Sequence, residues 1–579
     1  MDSQGTLLSL IRLILVGMLA YFVFFMLWKK ASARWTHWFP LFQKFAQGGL
    51  WILSGAVVVG GVYAFSNSIF DLRLSAGAFG LGLAILPLYE KFTHKGTTER
   101  HERGASVAKA ADVRAQIKKE KHGFDLVWGG VPVPHNAEPY HFMIAGSTGA
   151  GKSVAITRLL DMIRERGDTA IIVDSGGQFM SRYWREGTDY MINPFDSRCA
   201  PWSPTAELEG PWDAEALARS MIPDGTGESK EWNGYAQTLV TSAMQALWER
   251  GKKSLADLMY AVQAAPMQEL ALLLAGTAAA AQLTSDKTFG SIRTIASKYL
   301  SAYAYLISSD SPFSVSEFIR KGQGGMLFLT YRDDQLDSLR NLVSCVLDIA
   351  SRTILSMDPD PKRRVWLIID EFASIGKVQS IEAVATKARK AGGCLVLGIQ
   401  SVSQVRDRYG EHAAQSILSC LSTWLVLRCV DADTAEYMSQ YIGEEQITRT
   451  SEGTTHADSG NSKSRNEQTT TQRVVMASEI QRLATLKGFL KLNGHYPVCE
   501  ITLELPGKVA DQVESFSRRD FEKHPLMKFS PAAEPAAPVA TPVGSGGVVF
   551  AAPAQAPAQA LATTPVADKP VRTILLRRT

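Results

Sequence analysis

The residues GSTGAGKS at 146–153 constrain this chain more than any other feature, because of what stands on either side of them. Residues 140–145 are a short apolar run that reads as a buried strand, and 153–164 carry Val154, Ile156, Leu159, Leu160 and Ile163 at helical spacing. A G-x-x-x-x-G-K-[ST] stretch between a strand and a helix is a phosphate loop. Its glycines let backbone N–H groups face phosphate oxygens, and the helix N-terminus adds the positive end of its dipole. The expected nucleotide-binding residues are therefore Gly146, Ser147, Thr148, Gly149, Ala150, Gly151, Lys152 and Ser153. Lys152 is expected on the β- and γ-phosphates of ATP, and Ser153 on Mg2+.

The second half of such a site is expected far downstream. Residues 365–369 form an apolar strand that ends in Asp370 and Glu371, a Walker B pattern. Asp370 would hold Mg2+ and Glu371 would polarise the attacking water. A glutamate in this place points to motors that carry an additional central strand. Residues 376–390 read as a helix, and 394–399 as another buried strand ending in Gln400. Gln400 would stand beside the γ-phosphate as a sensor or water-orienting group, with an ordinary polar strand end as the alternative. Arg389 ends the preceding helix with Lys387 and Lys390. The three cations suit the helix dipole; the sharper reading makes Arg389 an arginine finger that reaches a neighbouring subunit's nucleotide.

Strand and helix alternate through 170–174, 325–330, 365–369, 394–399, 424–430 and 498–503, which predicts a doubly wound α/β fold. The fold class expected is a P-loop NTPase of the RecA/translocase-like kind: a parallel sheet with an inserted all-α domain and N-terminal transmembrane helices. Alanine- and leucine-rich helical text supplies the insert, at 239–247, 255–262, 267–281 and 292–306. The divisions are a transmembrane anchor at 1–90, a basic cytoplasmic linker at 91–125, the nucleotide-binding domain at 126–211 and 311–527, the insert at 212–310, and a disordered Pro/Ala-rich tail at 528–579. Residues 451–471 are polar and are expected to form a mobile loop.

Residues 7–27 are apolar except for Ser9 and Arg12, long enough to cross about 30 Å of hydrocarbon as a helix. Two further apolar stretches follow at 48–65 and 74–89. Trp28, Lys29 and Lys30 look like interface anchors, and no small-x-small cleavage site favours a signal peptide. Lys29, Lys30, Arg34 and Lys44 argue for an inside loop, so two and three spans both stand. The basic run from Lys91 to Lys121 keeps the following body in the cytoplasm by the positive-inside tendency. A net charge of +4 over 579 residues is too weak to imply nucleic acid by itself, since a dedicated DNA-coating protein usually shows a strong basic bias, and is neutral evidence. The six cysteines show no CxxC or Cys/His ligand spacing and read as reduced thiols.

In sum these residues resemble the type IV secretion coupling proteins, in particular the TraD/TrwB-like conjugative branch. The likeness rests on GSTGAGKS (146–153), IIVDSGGQF (171–179), NPFDSRCAPWSP (193–204), VWLIIDEF (365–372), ATKARKAGG (385–393) with GIQSVSQVRDRYG (398–410), and SEIQRLATLKGFLKLNGHYP (478–497). The resemblance implies an ATPase of the bacterial inner membrane with a cytoplasmic body, assembled as a homohexamer. It implies recruitment of the relaxase and its relaxosome, contact with the inner-membrane components of a type IV secretion system, and conjugative transfer of single-stranded DNA held mainly through its phosphates. It gives Arg389 the trans-acting finger role and makes the insert the docking end. Secretion of protein effectors and chromosome partitioning are the alternatives. The tail ends in Arg577 and Arg578, where some relatives end in an acidic peptide, so no tail-mediated recognition is carried over.

Overall fold

The computed structural model describes residues 98–457, 460–507 and 511–521, without the side chains of Thr98 and 451–465. The apolar stretches at 7–27, 48–65 and 74–89 and the tail from 528 lie outside the described residues. Among the described residues no helix is long and apolar enough to cross a membrane.

The strands in chain order are β1 (Thr98–Gly104), β2 (Val107–Lys109), β3 (Val127–Trp128), β4 (Val131–Pro132), β5 (Phe142–Ala145), β6 (Thr169–Ser175), β7 (Tyr190–Met191) and β8 (Met326–Tyr331). They continue as β9 (Val365–Ile369), β10 (Gly393–Ile399), β11 (Thr423–Val426), β12 (Glu444–Ala457), β13 (Gly460–Arg473), β14 (Lys487–Lys491) and β15 (Val498–Thr502). Ten of them form one sheet in the order β2-β15-β14-β11-β5-β10-β9-β6-β8-β7.

From β11 to β7 every pairing is parallel. Strands β5, β9, β10 and β11 are buried along their whole length, as expected when helices cover both faces of a parallel sheet. Alternate residues feed two cores: Ile171 and Val173 of β6 face one, Ala170 and Ile172 the other. The expected parallel sheet needs one correction. Strand β14 runs antiparallel to both β11 and β15. Only a short turn separates β14 from β15, and a connection that short can join only antiparallel strands.

The insert is helical as expected. Its long members are Glu228–Glu249 and Asp286–Leu300, and its packing is continuous with the larger of the two cores. Its expected 267–281 helix stops at Leu273, and a 3-10 turn at Ala278–Thr284 follows. Buried Glu207 ties entry to exit: it accepts from Trp202 Nε1 at 2.7 Å before the insert, and from the backbone N–H of Val315 (2.7 Å) and Ser316 (2.9 Å) after it. Both oxygens of that carboxylate are met by donors, which offset the cost of burying it.

Two further expectations are corrected. The mobile loop at 451–471 is instead part of a β12–β13 hairpin, in antiparallel register from Glu444 opposite Arg473 to Ala457 opposite Gly460, with β1 added along β12. The polar sequence here still pairs as strands, because its many threonines are β-branched residues that favour extended backbone. The helix expected at 376–390 begins only at Ile381 and gives way to a 3-10 turn at Ala388–Ala391. A Cβ at Gly376 would press into the helix Leu336–Ser356 at Ser344 and Arg340, so glycine lets the chain pass close to that helix.

His141, just before β5, is buried and accepts from the backbone N–H of Leu395 at 3.1 Å. Burial, aided by the charge of Arg389, holds its pKa at about 4, against an ordinary 6.5. The unfolded chain therefore takes up this proton near pH 6.5 and the folded chain only near 4. The stability contributed by the neutral ring is full above 6.5 and is lost as pH falls toward 4, to the extent of about 3 kcal/mol. Thermal melts from pH 7.5 to 4.5 should show this decline, and His141→Asn, which cannot titrate, should decline less steeply. Equal slopes would remove His141 from the account.

Candidate nucleotide site

The phosphate loop hangs between two strand ends. Its Gly146 N–H donates to Ile399 O at the tip of β10 (3.0 Å), and its Ser147 N–H to Arg428 O beyond β11 (2.8 Å). Gly149 and Gly151 take φ of 74° and 120°, values open to glycine and strained for other residues. The helix Lys152–Arg166 starts at once. This is the strand-loop-helix order that the sequence predicted.

Strand β10 lies between β5 and β9, so the additional central strand is present. It brings the remote half of the site into contact with the loop. Lys152, itself buried, donates through Nζ to Gly146 O (3.0 Å) and to Glu371 Oε2 (3.5 Å). Gln400 Nε2 donates to the same Glu371 oxygen, and Thr148 Oγ1 donates to Gln400 Oε1 at 3.3 Å. Loop lysine, acidic strand end and strand-tip glutamine thus form one chain of polar contacts. They line a cavity of about 740 Å³, together with Ser153, Asp370 and Tyr331.

Asp370 is only 8% exposed, and its Oδ1 is buried with no hydrogen-bond partner. Burial is the main cause that lifts its pKa to about 6; the neighbouring Glu371 adds to the rise and Lys152 opposes it. An orphaned carboxylate oxygen and a serine hydroxyl lining one cavity are hard oxygen donors, which is what Mg2+ selects. The residues present fit that ion.

Arg389 is the one expected site residue that the fold does not bring to the loop. It precedes β10, whereas Gln400 follows it, and seven strand residues at roughly 3.3 Å each put about 20 Å between the two ends. There Arg389 is exposed, donates to the Tyr140 hydroxyl at 2.6 Å and lies 4.7 Å from the centre of that ring. Within its own chain it cannot reach the nucleotide site.

A family model for the type IV secretion-system coupling protein DNA-binding domain matches residues 125–504. The chain belongs to the type IV secretion-system coupling proteins. It is 32% identical over 406 residues to coupling protein TraD of Escherichia coli (strain K12), a match that covers 68% of this chain and 56% of that one. The chain thus spans about half the length of this curated relative. Among solved structures, it is similar to the bacterial conjugative coupling protein TrwBdeltaN70 in an unbound monoclinic form: 31% identity, TM-score 0.65, 72% of this chain and 97% of that one. It is also similar to plasmid coupling protein TrwB in complex with ADP and Mg2+: 30% identity, TM-score 0.64, 73% of this chain and 98% of that one.

Two residues of this coupling protein's site carried no role in the sequence reading. Gln178 Nε2 donates to Ser153 Oγ at 3.2 Å and lines the same cavity. Asp174 is the penultimate residue of β6 and Asp370 follows β9, and these two strands pair side by side. It is fully buried, and burial above all pushes its pKa to about 7, with the nearby Asp370 charge adding to the rise. The signal was there to read: IIVDSGGQF is an apolar strand that ends in an acid before two glycines, the same outline as VWLIIDEF.

Proposed function

We propose that this coupling protein is a membrane-anchored ATPase that draws single-stranded DNA, with its relaxase, into a type IV secretion channel during conjugation. The observation that carries the reading is the contact of Lys152 with Glu371, which joins a phosphate loop to a candidate base in one cavity. TrwB, similar over nearly its whole length, is described in complex with ADP and Mg2+, which supports the reading. In this reading the backbone of 146–153 and Lys152 hold the phosphates of ATP, and Ser153 and Asp370 hold Mg2+. Bound there, the ion would neutralise charge between the β- and γ-phosphates. Glu371 takes the proton of the attacking water, and Gln400 keeps that water aligned by holding Glu371 from the side.

Arg389 then acts on the next subunit of a homohexamer, which is the only use that its place at the far end of β10 leaves for it as a finger. Residues 1–90 anchor the ring in the bacterial inner membrane, where it meets the secretion-system components, and the body works in the cytoplasm. DNA is held through its phosphates without base readout, so binding should weaken steeply with salt.

Full-length protein in detergent should hydrolyse ATP faster with single-stranded DNA present, and Lys152→Ala should abolish both the basal and the stimulated rate. Hydrolysis indifferent to DNA at every salt concentration would overturn the DNA-motor reading and favour protein cargo.

A further inference from the structure

The turn that follows β6 is held in place more firmly than its length requires. The chain passes through Gly176 and Gly177, both at positive φ (80° and 71°), into the short helix Gln178–Tyr183. Inside, the buried Asp174 carboxylate accepts from the backbone N–H of Phe179 (3.0 Å) and Met180 (2.8 Å). Outside, the segment 511–521 lies against it: a Cβ on Gly177 would collide with the Ser515 carbonyl oxygen, and Gln512 N–H donates to Ser181 O at 2.7 Å. The first side chain that the turn presents is Gln178, extended into the nucleotide cavity with its amide nitrogen 3.2 Å from Ser153 Oγ.

A serine hydroxyl has one proton and two lone pairs. A donor fixed on one lone pair leaves the other free and sets its direction, so the hydroxyl no longer has to be oriented when a cation arrives. We propose that Gln178 is a positioning residue for the divalent cation: it orients the Ser153 hydroxyl as a ligand and so sets the affinity for Mg2+ in the nucleotide complex. Asp174 and the 511–521 segment act behind it by fixing the turn. The inference rests on the reading of Ser153 and Asp370 as the Mg2+ holders.

The test is binding rather than turnover. Full-length protein is titrated with a fluorescent ADP analogue across graded Mg2+ and, separately, in EDTA. Removing a group that orients a metal ligand typically costs about 10- to 100-fold in metal affinity. Gln178→Ala should accordingly raise the Mg2+ concentration at half-saturation by about that factor while leaving metal-free ADP binding unchanged. An unchanged half-saturation in Gln178→Ala, or an equal loss in EDTA, would overturn the inference while the metal site stands. A parent protein whose ADP binding ignores Mg2+ would overturn the metal site itself, and this inference with it.

Discussion

Glu371→Gln should lower ATP hydrolysis by about 10²- to 10⁴-fold, the usual contribution of a positioned general base, and leave nucleotide binding in place. The substitution is nearly isosteric, so the amide oxygen can still accept from Lys152 and the fold around it need not shift. What is lost is the capacity to take a proton. The geometry argues for this role rather than a purely structural one, because the Glu371 carboxylate is met from two sides, by Lys152 and by Gln400, within the cavity that Asp370 and Ser153 also line. Steady-state hydrolysis beside a fluorescent-nucleotide titration separates the two effects. Hydrolysis within a few-fold of the parent would mean that another group handles the proton.

Arg389→Ala should cost the assembled protein about 10³- to 10⁵-fold in hydrolysis, the range known for arginine fingers, without weakening nucleotide binding by the isolated chain. Arg389 lies at the opposite end of β10 from Gln400, and its exposed guanidinium is steadied on Tyr140 by a 2.6 Å hydrogen bond and by the ring face. Steadied and exposed, it is presented outward. A mixture of Arg389→Ala and Lys152→Ala subunits should recover part of the activity, because some sites then combine an intact loop from one subunit with an intact arginine from the other. Failure of the mixture to recover, with both variants folded, would place the arginine's effect within its own chain.

Much of the fold was legible because buried parallel strands are written as plain apolar runs. Residues 365–369 match β9 to the residue, and 394–399 and 498–503 match β10 and β15 to within one. The hairpin at 444–473 was not legible. With Ile447 as its one buried apolar residue among those whose side chains are described, it leaves no hydrophobic alternation to read. The close approach at Gly376 was hidden for a different reason: the helix Leu336–Ser356 that it packs against is encoded elsewhere in the sequence.

The site divides along the same line. The phosphate loop is contiguous, and its chemistry follows from glycine conformational freedom, one lysine and one hydroxyl; sequence alone determined that, and with it the identity of Asp370 and Glu371 as the acids of the site. Contact is another matter. Lys152 and Glu371 are 219 residues apart, and only the insertion of β10 between β5 and β9 sets the gap that their side chains span. The same strand carries Gln400 to the loop and Arg389 away from it, since a rigid extended segment must hold its two ends apart. Gln178 entered the site through a turn whose conformation is fixed by a buried aspartate and by a segment more than three hundred residues downstream. Residue type is local information, whereas adjacency is set by how strands order themselves in a sheet, and no window of sequence contains that order.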